Sequence, residues 1–334
     1  AQNIASTTDA KAPSRTTFEP GRCYDLASDR RAAGAAPRPV DLSQRMTKMQ
    51  RIAPLLLAGL LFIGATPSSS EPEWLESVDQ AVARAAESDR WILVAFYADW
   101  CGWGKKLDKV VFSDPSFAPY AERFVLLRVD VEDGAEGTRL YDRFGAVSLP
   151  TTMLIDHRLA KVGEVQGYSP PEPFLAKLER EIDRGRQRAR TFDEVRTSGD
   201  RTRIQMLAED FHSRRDGERT AALYTLLLED DATPESEVAW FKYLRADALR
   251  LGGEFAAASE QASEAQLGAA KSEDRDLLER IDLLRFRIAR DQGRCAFAIE
   301  TLQTFLADHP DSRLAGYAEH ELETLRRESE TECT

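Results

Sequence analysis

Histidine, cysteine and methionine occur only four times each in 334 residues. The cysteines, at 23, 101, 295 and 333, are too few and too scattered to staple a disulfide scaffold. No histidine stands at ligand spacing beside them, so no metal site is expected. The sequence has no Gly-rich phosphate loop and no Ser-His-Asp arrangement, and no cofactor is expected. Basic residues are the minority, 45 Lys and Arg against 57 Asp and Glu, for a net charge of -12. A surface that neutralises phosphates needs clustered cations in excess, which excludes nucleic acid as a partner. What is present is a 42% hydrophobic, 31% charged chain. That composition is globular and helix-rich, and the length suits two domains.

Residues 1–45 are rich in Ala, Arg, Pro, Ser, Thr and Asp without apolar periodicity, and are expected to be unstructured or an upstream over-extension. Lys48 and Arg51 then precede an apolar run from Ile52 to Ala65, followed by small and polar residues, Thr66 to Ser70. This order matches a secretory signal peptide, about Met46 to Ala65, and the run is shorter than the roughly 20 residues that span a bilayer. Met46 or Met49 is then the natural start, 46–70 the signal peptide and spacer, and the mature chain an exported, periplasmic protein with no stable membrane span. Cys23 would be lost. The competing reading is a buried core helix or an uncleaved anchor, which Pro54 and Gly59 weaken.

Residues 71–187 alternate helical and strand periods. Trp74, Leu75, Val78, Ala81, Val82 and Ala85 recur at helical spacing, and Trp91 to Phe96 is a continuous apolar run of central-strand type. After a loop carrying Cys101 come a helix from about Gly104, a strand from Phe124 to Val131 and a helix around Leu140, Tyr141 and Phe144. Strands from Thr152 to Ile155 and Val162 to Gln166 follow, closed by a helix from Pro171 to Ile182. The order is that of an α/β domain with a central mixed sheet and flanking helices.

Three motifs carry a resemblance: Phe96-Tyr97-Ala98-Asp99-Trp100-Cys101 at a strand end, Lys105-Lys106 just after it, and Phe144 through Thr151, which contains Leu149-Pro150. The stretch from Trp91 to Tyr168 resembles the thioredoxin-like fold, and within it the exported group with a W-C-x-W-C-K-K signature. The resemblance implies that Pro150 is cis and faces the reactive cysteine. It also implies that Trp100, Gly102, Trp103, Gly104, Leu149 and Pro150 form a partner or substrate site around a catalytic Cys101.

A thiol at a helix start meets unpaired backbone N–H groups and the positive end of the helix dipole, which favour the thiolate that attacks disulfides. Two departures from the family stand beside this. Gly104 occupies the place of the second cysteine, and Ala95 that of the buried acid six residues before the first. A mixed disulfide on Cys101 therefore has no resolving thiol within the motif. Three readings stay open: monothiol thiol-disulfide exchange on protein partners, a redox-inactive binding or adaptor module, and a metal or cofactor role.

Residues 188–334 follow a polar Arg184 to Arg190 connection and show no strand pattern. Gly217, Gly253 and Gly293 each precede an alanine by five residues, with Pro234 and Pro310 seventeen residues after the first and third glycine. This resembles tetratricopeptide repeats, an all-α array whose concave surface binds peptides or proteins. A plain helical bundle is the alternative. Cys295 and Cys333 are a candidate structural disulfide, against two inert thiols or a resolving role toward Cys101.

Overall fold

The computed structural model describes residues 72–133, 136–146 and 148–331. The expected unstructured segment, the signal peptide, Cys23 and Cys333 lie outside the described residues. Five segments pair into one mixed sheet of order β1-β3-β2-β4-β5. They are β1 (Trp74–Leu75), β2 (Ile92–Tyr97), β3 (Val125–Asp130), β4 (Thr151–Ile155) and β5 (Lys161–Gln166). β2 is central, parallel to β3 and antiparallel to β4, and Ile92 to Phe96 is buried throughout, as a strand covered on both faces must be.

Helices α1 (Val78–Ser88), α2 (Gly102–Leu107), α3 (Ala118–Ala121), α4 (Glu136–Arg143) and α5 (Pro171–Val195) flank this sheet. Alternation along the strands splits the core. Val94, Phe96, Leu127, Val129, Met153 and Ile155 pack with residues of α1 and α4 on one face. Leu93, Ala95, Leu126, Leu154 and Val165 pack with residues of α2 and α5 on the other. The helical spacing that begins at Trp74 resolves differently from expectation. Trp74 and Leu75 pair with β3, and the helix starts at Val78, where the Ser77 hydroxyl caps it by accepting from the Gln80 N–H at 3.4 Å.

The Arg184 to Arg190 run is helix rather than a connection, and α5 continues through it to Val195, across the boundary expected at 187/188. Arg, Gln and Ala are good helix formers, so polarity alone did not break the period. Gly185 lets the helix lie on the sheet: a Cβ there would overlap Val162 and stand 3.1 Å from the Trp91 ring. The Arg188 guanidinium caps the Val162 carbonyl beside the bulge in β5.

Beyond α5 the described chain is all helical: α6 (Arg201–Ser213), α7 (Gly217–Glu229), α8 (Glu235–Leu251), α9 (Phe255–Lys271), α10 (Arg275–Asp291), α11 (Cys295–Asp308) and α12 (Ala315–Thr331). Each packs on its sequence neighbours. Small residues permit the closest approach, with Ala258, Ala262, Ala265 and Ala269 of α9 fully buried. The turns after α6, α8 and α10 each hold a central residue with positive φ: Arg215 at 61°, Gly253 at 78° and Gly293 at 73°. The structural counterpart of Gly253 and Gly293 is therefore Arg215, two residues before the Gly217 expected from sequence. Gly217 serves close approach instead, since a Cβ on it would overlap the Ala248 carbonyl and lie 2.6 Å from the Gly252 nitrogen. Among the described residues no helix is long and apolar enough to cross a membrane.

Candidate thiol site

Cys101 ends the loop after β2 and caps α2. Its backbone is extended, and its Sγ accepts from the Gly104 N–H at 3.4 Å, where an ordinary N-cap would offer a hydroxyl or carboxylate oxygen. The loop is pinned by the Cys101 N–H donating to the Ala98 carbonyl at 2.9 Å. Cys101 is buried, with only 5% of the residue exposed. Behind it, Ala95 belongs to an apolar wall with Leu107 and Val111. Ala95 pairs in register with Arg128, whose guanidinium is bound by Asp108 and lies 4.9 Å from the Trp74 ring centre.

Pro150, the residue before β4, closes the site. The Leu149–Pro150 peptide bond is cis. Leu149 is half-buried against the sheet core, and the Pro150 carbonyl accepts from the Gly167 N–H at 2.8 Å. Gly104 sits between cysteine and proline: a Cβ built on it would stand 3.5 Å from Cys101 Sγ, 3.7 Å from Cys101 Cβ and 3.9 Å from Pro150 Cβ. These are ordinary van der Waals distances, so the position has room for a side chain and holds none. Gly102 faces open space.

Two tryptophans rim the sulfur, Trp100 at 68% and Trp103 at 59% exposure. The Trp100 indole N–H donates to Glu132 at 2.9 Å, which fixes its ring toward the loop after β3. Trp103 stacks on Tyr168 with ring centres 5.5 Å apart. Lys106 Nζ lies 5.1 Å and 4.7 Å from the Trp103 and Tyr168 ring centres. Tyr168 and Glu132 were not singled out from sequence as site residues. They stand far along the chain from Cys101, and no periodicity links them to it. Cys295 opens α11 as a half-exposed free thiol, apart from this cluster. Among the described residues no group of His, Cys, Asp and Glu could hold a metal ion.

Residues 73–156 match the family described as thioredoxin-like. The thiol:disulfide interchange protein DsbD of Ralstonia nicotianae is 34% identical over 110 residues, and that of Vibrio vulnificus 31% identical over 109. Each alignment covers 32% of this chain and 18% of the relative, so the chain spans about a fifth of these proteins' length. Among solved structures, a thioredoxin from Thermus thermophilus matches 35% of this chain and 91% of its own, with 26% identity and a TM-score of 0.31. A DsbH oxidoreductase matches 38% and 95%, with 16% identity and a TM-score of 0.32. A five-stranded mixed sheet with helices on both faces, a cysteine capping the helix after its central strand and a match over residues 73–156 together identify this chain as a thioredoxin-fold protein with an all-helical C-terminal region.

Proposed function

We propose that the protein performs thiol-disulfide exchange on protein partners through Cys101 alone. The observation that carries this is the placement of Cys101 Sγ on the Gly104 N–H, beside Pro150 and rimmed by Trp100 and Trp103. In the forward step the Cys101 thiolate attacks one sulfur of a partner disulfide. A Cys101–partner S–S bond forms, the partner's own S–S bond breaks, and its second sulfur leaves as a thiolate. A thiolate from outside the motif then attacks the partner sulfur of this mixed disulfide, which frees Cys101 and leaves the partner joined to that outside thiol. The relatives' names support this chemistry, since they are interchange proteins of thiols and disulfides.

Export belongs to the same reading, supported by the apolar run Ile52 to Ala65 after Lys48 and Arg51. The helical region is read as a tetratricopeptide-like platform that recruits the partner, supported by turns of equal length after α6, α8 and α10. A second reading, a redox-inactive binding module, is favoured by the near-complete burial of Cys101 between two exposed tryptophans.

The test incubates the Cys295→Ser, Cys333→Ser protein with disulfide-bearing secreted proteins and resolves products by non-reducing gel and mass spectrometry. Exchange gives thiol-reversible adducts that Cys101→Ser abolishes. Adduct-free co-purification of the same partners with Cys101→Ser establishes the binding module in its place.

A further inference from the structure

The end of the helical region that meets the sheet domain gathers more positive charge than its acids neutralise. Buried Asp247 of α8 is engaged three times. His212 Nε2 lies 2.7 Å from its Oδ2, while Arg250 Nε and Arg287 Nη1 lie 2.8 Å and 3.8 Å from its Oδ1. Asp291 of α10 holds Arg250 and Arg290, and Glu321 of α12 takes the other arm of Arg290 at 2.9 Å. These acids are committed, yet two further cations bear on the same cluster. Arg143, the last residue of α4, reaches only the Leu251 carbonyl, at 3.4 Å, and its Nε is buried with no acceptor among the described residues. Arg215 is half-buried and makes no side-chain hydrogen bond or ion pair among the described residues. Burial first, and the charge of Arg250 second, disfavours the cationic form of both.

Helix C-termini attract cations, and the ends of α6 and α8 account for arginines nearby. They do not account for a buried guanidinium N–H, that of Arg143 Nε, left without an acceptor among the described residues. We propose that Arg143 and Arg215, with Arg287 beside them, form an oxyanion site at the seam between the sheet domain and the helical region. Its ligand is a carboxylate or phosphate group, matched by the forked geometry of guanidinium donors. The site stands apart from Cys101 and does not depend on its chemistry.

The test follows thermal unfolding of the full chain during titration with sodium phosphate or sodium acetate, with ionic strength held constant by sodium chloride. The midpoint is expected to rise saturably with at least one anion. A rise with phosphate alone assigns a phosphoryl ligand, and a rise with acetate alone or with both assigns a carboxylate. Arg215→Gly installs the residue of the equivalent turns and keeps the fold, and it should weaken the apparent anion affinity at least tenfold, as should Arg143→Met. No saturable rise with either anion, or an equal rise in both variants, overturns the site.

Discussion

At the scale of single residues the protein is defined by what Gly104 leaves out. Its missing Cβ would lie 3.7 Å from Cys101 Cβ, inside the range of about 3.5–4.5 Å found across disulfides. Gly104→Cys should therefore close a bond to Cys101 without backbone movement. Alkylation and mass spectrometry of the oxidised variant, with Cys295 and Cys333 changed to Ser, should find neither thiol free. Two reactive thiols after oxidation would show that α2 begins in a different geometry in solution. Cys101, Pro150 and the flanking tryptophans could be singled out because they lie in contiguous motifs, whereas the cis bond was implied only by the family resemblance. The Tyr168 ring under Trp103 could not be singled out, because its contact is made by the return of the chain after β5.

At the scale of elements, the sheet was readable wherever burial wrote continuous apolar runs. β2 and β3 fall within a residue or so of expectation. β1 was hidden because two residues paired with a strand some fifty positions away leave no period of their own. The glycine pattern of the helical region was real but misread in one unit, where Gly217 and Arg215 divide the work that one glycine was assumed to do. Gly217→Ala drives a methyl into the backbone at the end of α8, including the Gly252 nitrogen at 2.6 Å. Overpacking of this kind costs about 1–3 kcal/mol, which urea unfolding should register as a lower midpoint at unchanged slope. An unchanged midpoint would mean that α7 and α8 can separate freely.

At the scale of the whole molecule, one ionic network ties α6, α8 and α10 together through Asp247. Burial alone would raise the proton affinity of this carboxylate, but the hydrogen bond from His212 and the charges of Arg250 and Arg287 outweigh it and hold the group far below the usual range. An acid depressed in the folded state stabilises at pH above its unfolded value of about 3.9 and loses that contribution as pH falls through the lower folded value. Asp247→Ala leaves Arg250 buried with one partner fewer, and should cost roughly 3–5 kcal/mol at neutral pH. The variant's deficit should shrink on strong acidification, when the parent carboxylate protonates too. Denaturant unfolding at neutral and strongly acidic pH reads both effects, and a deficit that stays constant would place the stabilisation outside the charge of Asp247.

The continuity of α5 has a further consequence. Its 25 residues give a rod of about 37 Å with no break between the part laid on the sheet and the part that meets α6. Arg188 and Gly185 seat the middle of that rod on β5, so it offers no hinge there. A partner gripped by the helical array would thus meet Cys101 at a set reach and angle, and the molecule would work as a gauge, selecting disulfides by their distance from the point of capture.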